Sequence, residues 1–82
     1  EKHLSGKYVN VLKEGFVSID MAQNILVVKT VSGMAMAVAA AIDAMKYPEI
    51  VGTIAGDDTI MMAVRTVEDT KSLMNQILQL VH

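Results

Sequence analysis

Three aspartates are the residues of this chain best suited to chemistry. Asp57 and Asp58 stand side by side in the run VGTIAGDDTIMMAVRT, residues 51–66, and Asp43 stands alone in the alanine-rich run ahead of it. Adjacent carboxylates repel one another, and Asp is among the residues least at home in strands. An acidic pair inside an apolar run therefore needs either open water or a cation. A solvated hairpin tip meets the first need, because Gly-Asp sequences suit positive φ and exposed carboxylates cost little. For the second, a guanidinium fits best: it is planar, and its paired donors meet carboxylate oxygens as a fork. Mg²⁺ or Ca²⁺ would find too few further oxygen ligands close by. Asp43 reads either as a residue on the wet edge of a helix or as an anchor for the same kind of ligand.

Other chemistry is poorly supplied. The chain has no Cys, and its only imidazoles, His3 and His82, lie at the two ends. Thiolate and His-based metal centres are thereby disfavoured. Ser18, Ser32 and Ser72 have no base near them in sequence. Lys29 reads as a solvent-side strand lysine. The segment SGMAMA has one Gly and is no phosphate-binding loop. A binding domain is expected, without catalytic residues, metal or cofactor.

The elements that must position the aspartates can be read from periodicity. In GFVSIDMAQNILVVKTV, Phe16, Ser18 and Asp20 alternate with Val17, Ile19 and Met21, as in a strand. AQN supplies a turn, and the continuous, β-branched ILVVKT suits a strand covered on both faces. The run SGMAMAVAAAIDAMKY has high helix propensity, with Ser32 as a candidate cap. Tyr47 precedes Pro48 and is pushed out of the helical region, so this helix should stop near Lys46. EIVGTIAG and TIMMAVRT read as two strands joined by a tight hairpin at residues 56–58. Thr66 reads as an N-cap with Asp69 three residues on, opening a helix whose apolar face holds Val67, Thr70, Leu73, Met74, Ile77, Leu80 and Val81. Residues 1–14 show no strong period and read as a lead-in or linker remnant, leaving 15–82 as the domain. The order is β-β-α-β-β-α. The fold expected is an α+β two-layer sandwich: a four-stranded, mainly antiparallel sheet with two helices on one face.

An 82-residue chain is marginal on its own, since it buries only roughly 60–65% of the surface that its unfolded form exposes. Yet the hydrophobic fraction is 52% and mean hydropathy is +0.40. Without disulfides, oligomerisation is the remaining source of stability. The first helix points the same way. Met36, Ala39, Ala40 and Asp43 share one stripe, and Val38, Ala41, Ile42 and Met45 share another. A helix apolar nearly all round is buried on two sides, so one side is expected at a subunit interface, where alanines allow close approach. Net charge is −2 with scattered Lys and Arg, so these residues form no basic stripe for nucleic acid. The longest apolar region is about half the ~20 residues of a membrane span, and a cytoplasmic location is expected. The chain begins at Glu1 rather than Met and reads as a fragment.

NILVVKTVSGMAMAVAAAIDAM followed by EIVGTIAGDDTIMMAVRTVEDT resembles the C-terminal domain of bacterial arginine repressors, over approximately residues 16–81. GTIAGDDT is the specific part of the likeness. The resemblance implies a two-layer sandwich that forms trimers, two of which stack into a hexamer. L-Arginine, the co-repressor or effector, then binds at the interface between trimers. It places the ligand aspartates at Asp43, Asp57 and Asp58, with Thr53 and Ala55 near the ligand. Operator DNA is bound in that family by an N-terminal winged helix-turn-helix. Three acidic side chains per subunit leave excess negative charge, and a cationic amino acid that neutralises it while bridging trimers stabilises the hexamer by linkage. One position departs from the pattern. Many members carry Gln or His seven residues before the helix aspartate, where this chain has Met36. Methionine cannot make that polar contact. The alternative implied is an oligomerisation-only domain with an impaired arginine site, in which Met36, Ala39 and Ala40 serve the interface.

Overall fold

The computed structural model describes residues 6–82. Its elements run α1 (Gly6–Gly15), β1 (Phe16–Ala22), β2 (Ile25–Thr30), α2 (Ala35–Ala44), β3 (Ile50–Ala55), β4 (Thr59–Val64) and α3 (Val67–Val81). The β1–β2 and β3–β4 hairpins lie side by side in one antiparallel sheet of order β1-β2-β4-β3, and a helix follows each hairpin. The expected β-β-α-β-β-α sandwich is therefore present, with one further helix in front of it.

Of residues 1–14, read from the sequence as a lead-in, positions 6–14 belong to this helix, and positions 1–5 lie outside the described residues. α1 has only a narrow inward stripe, with Leu12 and Gly15 buried. Leu12 is wholly removed from water, a burial that stabilises by roughly 1.5–3 kcal/mol. α1 rests on α2 and α3. Gly15 makes the close approach to α2 possible: a Cβ there would stand 2.6 Å from Val38 Cγ2.

The helices cover one face of the sheet. Cross-strand register aligns Ile19, Val28, Ile60 and Ala55 in one inward row, and Met21, Leu26, Met62 and Thr53 in the next. These rows meet Leu12, Val38, Ile42, Leu73 and Ile77 in a single core. Burial along β2 alternates, which corrects the expectation that ILVVKT is covered on both faces: Leu26, Val28 and Thr30 point inward, while Lys29 is exposed. The outward row Asp20, Val27, Met61 and Ile54 carries an apolar patch, with Met61 51% and Ile54 78% exposed. A bulge between Phe16 and Ser18 breaks the alternation in β1 and lets Phe16 pack against the core alongside Ile19 and Met21. A second bulge interrupts β3 between Ile50 and Gly52.

The ends of α2 and α3 are set in different ways. Thr66 caps α3, its Oγ1 accepting from the Asp69 amide at 2.9 Å. Thr70 is buried in the first turn of α3 and satisfies its own hydroxyl by donating to the Thr66 carbonyl at 2.7 Å. α2 does not use Ser32 as its cap. The cap position is Met34, which makes no side-chain capping bond, because main chain from elsewhere takes that role. The helix ends at Ala44, two residues short of Lys46, which adopts a left-handed φ of 59° just beyond the cap residue Met45.

Candidate functional site

The acidic turn between β3 and β4 is built mainly by its backbone. Gly56 donates its amide to the Thr59 carbonyl at 2.8 Å and closes the hairpin. Thr30 at the end of β2 donates to the Asp58 carbonyl at 2.8 Å. The Asp57 carbonyl accepts from the amides of Gly33 and Ala35, each at 3.1 Å. Gly33 has φ +81°, a conformation that glycine adopts without strain, and its amide also meets Asp57 Oδ2 at 3.3 Å. The turn thus takes the place that a Ser32 side chain would have filled, and satisfies amides at the start of α2 that have no partner within the helix. The positive end of the helix dipole beside the turn also favours its two negative charges.

With the main chain tied down, the side chains of Asp57 and Asp58 stay at the surface. Asp58 Oδ1 accepts from Thr59 Oγ1 at 2.9 Å, and Thr59 Oγ1 in turn accepts from Lys29 Nζ at 2.9 Å. Lys29 and Thr59 are direct cross-strand partners, so strand register sets this contact. Among the described residues no three carboxylate or imidazole side chains gather closely enough to hold a metal ion.

The other end of α2 forms a separate feature. A groove of about 280 Å³ lies between this end and β3, lined by Ile42, Asp43, Lys46, Tyr47, Ile50 and Thr53 among others. Asp43 is exposed at its edge. Beneath the groove, Thr53 Oγ1 is buried and has no hydrogen-bond partner among the described residues. The Tyr47 phenol is raised above its ordinary value, first by burial and second by the negative charge of Glu49, so the ring stays neutral and its hydroxyl remains a donor.

One chain therefore divides the expected ligand residues between two places. Asp43 and Thr53 share the groove, while Asp57 and Asp58 share the turn. The stretch of α2 from Ala35 to Asp43 separates them by about 12 Å at 1.5 Å per residue. Ala55 lies on β3 between them, its side chain packed against the core. Of the stripe expected at an interface, Met36 is 72% exposed and Ala40 is exposed, but Ala39 is only 7% exposed and belongs to the core of its own chain. Periodicity pointed to none of Lys29, Thr59 and Tyr47 as site residues. The first two meet only through β2–β4 pairing, which local sequence does not encode, although the β-branched Thr directly after the aspartate pair was a usable signal.

The model for the arginine repressor C-terminal domain family matches residues 12–79 of this chain. An arginine repressor of Lachnospira eligens is 70% identical over 77 residues, which cover 94% of this chain and 51% of the relative. One of Lachnoclostridium phytofermentans is 62% identical over 82 residues, covering 100% of this chain and 54% of the relative. A third, of Ruminiclostridium cellulolyticum, is 49% identical over 76 residues, covering 93% and 51%. The chain spans about half the length of these curated relatives. With the family model matched over residues 12–79 and relatives of this identity, the chain belongs to the arginine repressor C-terminal domain family.

Proposed function

We propose that this chain is the effector-binding and oligomerisation domain of an arginine-responsive transcriptional regulator, with L-arginine held between trimers that stack into a hexamer. The family is one of transcriptional regulators and not of enzymes. The observation that carries the reading is the division of the three carboxylates between opposite ends of α2. A small ligand that touches Asp43, Asp57 and Asp58 together must be met by more than one chain. Arginine suits such a place: its guanidinium forks onto carboxylate, and its ammonium answers the remaining negative charge.

Two surfaces support self-association. The outward sheet face presents Ile54 and Met61 to solvent, and α2 presents Met36 and Ala40. Apolar side chains rimmed by polar ones are the usual marks of a protein interface. Operator DNA is assigned to a winged helix-turn-helix outside these 82 residues, in a regulator acting in the cytoplasm. No helix among the described residues is long and apolar enough to cross a membrane.

Sedimentation with and without L-arginine tests the proposal. L-Arginine should bind and shift trimers to hexamers, while L-citrulline, whose side chain is uncharged, should bind more weakly and leave the trimers unshifted. A distribution that ignores millimolar L-arginine overturns it. The exposed thioether of Met36 favours a second reading, an oligomerisation-only domain, because this surface position offers no hydrogen-bond donor. An unchanged melting temperature with L-arginine, in a chain that still assembles, would select that reading.

A further inference from the structure

We propose that Thr59 and Lys29 are positioning residues for Asp58, forming a relay that fixes its carboxylate for the guanidinium of the ligand. The inference rests on the arginine-binding reading above. Thr59 Oγ1 receives a hydrogen bond from Lys29 Nζ at 2.9 Å and gives one to Asp58 Oδ1 at 2.9 Å. A hydroxyl is suited to this because it donates and accepts at one atom. Valine has the same shape and can do neither. An ammonium on the accepting side polarises the hydroxyl and strengthens what it donates.

The two aspartates of the turn are held in parallel ways. Asp57 Oδ2 is engaged by the Gly33 amide at 3.3 Å, and Asp58 Oδ1 by the Thr59 hydroxyl. Each carboxylate keeps one oxygen outside these bonds, so the turn can offer a pair of fixed acceptors. Asp57 is engaged by a backbone amide. Asp58 depends on two side chains, both placed by the Lys29–Thr59 strand pairing. Without the relay, Asp58 must be ordered when ligand arrives, and that ordering weakens binding.

Lys29 also brings a positive charge near a site for a cation, which taken alone would oppose binding. The two effects have opposite signs, and variants of the full chain separate them. Affinities for L-arginine and L-citrulline are measured by calorimetry for Thr59→Val, Thr59→Ser and Lys29→Met. Thr59→Val should weaken L-arginine by about tenfold, the equivalent of one net hydrogen bond to a charged group. Lys29→Met should weaken it in the same direction. Both should lower the preference for L-arginine over L-citrulline, and Thr59→Ser should restore it. A general loosening of the domain would reduce both ligands alike and leave the preference unchanged, which overturns the relay. Wild-type affinity in Thr59→Val, or tighter binding in Lys29→Met, also overturns it. A wild-type chain that binds no L-arginine overturns the arginine reading together with the relay. A responsive wild type with indifferent variants overturns the relay alone.

Discussion

The amide of Ala35, the first residue of α2, points at the carbonyl oxygen of Asp57 from 3.1 Å. The acidic turn is thus the N-terminal cap of the helix that carries Asp43. Turn and helix are one mechanical unit, held through main chain and therefore insensitive to which side chain stands at position 57.

This separation of roles makes Asp57→Asn a clean probe. Asparagine keeps the backbone cap, and its amide oxygen can still accept from Gly33. The melting temperature should stay within a degree or two of wild type, because the change is at an exposed position. L-Arginine affinity should fall tenfold or more, since a hydrogen bond to a charged group contributes about 1.5–3 kcal/mol. Calorimetry and thermal melting on the same sample check both halves; equal damage to fold and affinity would contradict the assignment.

Ala40 and Ala39 are neighbours in sequence with opposite fates. Ala40 is exposed and Ala39 is in the core. Ala40→Leu should leave the protomer folded yet reduce assembly, because close helix approach needs a small side chain. Ala39→Leu should instead destabilise the protomer itself by about 1–3 kcal/mol through overpacking. Circular dichroism and sedimentation distinguish the two; an intact hexamer in Ala40→Leu would refute the packing argument.

Gly15→Ala tests whether α1 is an integral part of the domain. The added methyl would meet Val38 Cγ2 at 2.6 Å and Met34 Cε at 3.2 Å. Relief requires α1 to lift from α2, uncovering Leu12. Denaturant unfolding should show a loss of about 1–3 kcal/mol. Gly6→Ala, with nothing within 4 Å of its new methyl, is the matched control and should be neutral.

Tyr47 predicts an alkaline limb in the stability curve. Its pKa is raised in the folded state from the ordinary 10.0, chiefly by burial and further by Glu49. Folding therefore favours the neutral phenol. That contribution is fully present below pH 10.0 and is lost as pH rises through the folded value. Melting temperatures of wild type should fall more steeply across this window than those of Tyr47→Phe. Ultraviolet titration of the phenolate locates the folded value directly.

Much of this architecture is legible in the sequence wherever information is local. The two hairpins, the Thr66 cap and the α3 stripe follow from alternation, turn residues and 3.6-residue spacing. α1 is not read from the sequence, although Tyr8, Val11, Leu12 and Gly15 recur at i, i+3, i+4 and i+7, because the glycines at its two ends read as breakers. The start of α2 is not legible either: its cap is a carbonyl 22 residues away, from Asp57, and sequence offers Ser32 as the nearer candidate. The aspartate pair is conspicuous as two adjacent like charges. That Lys29 would meet Thr59 is invisible until β2 is set beside β4, since a contact across 30 residues depends on tertiary register.

The bulges have a consequence for how copies of the chain can meet. Strands β1 and β3 are the free margins of the sheet, and each is irregular near its beginning, at Phe16/Ser18 and at Ile50/Gly52. A margin with a broken ladder is a poor template for another strand. Growth by continuous β-pairing into fibrils is discouraged at both sides, which leaves the uncovered sheet face and the exposed side of α2 as the surfaces where copies could meet.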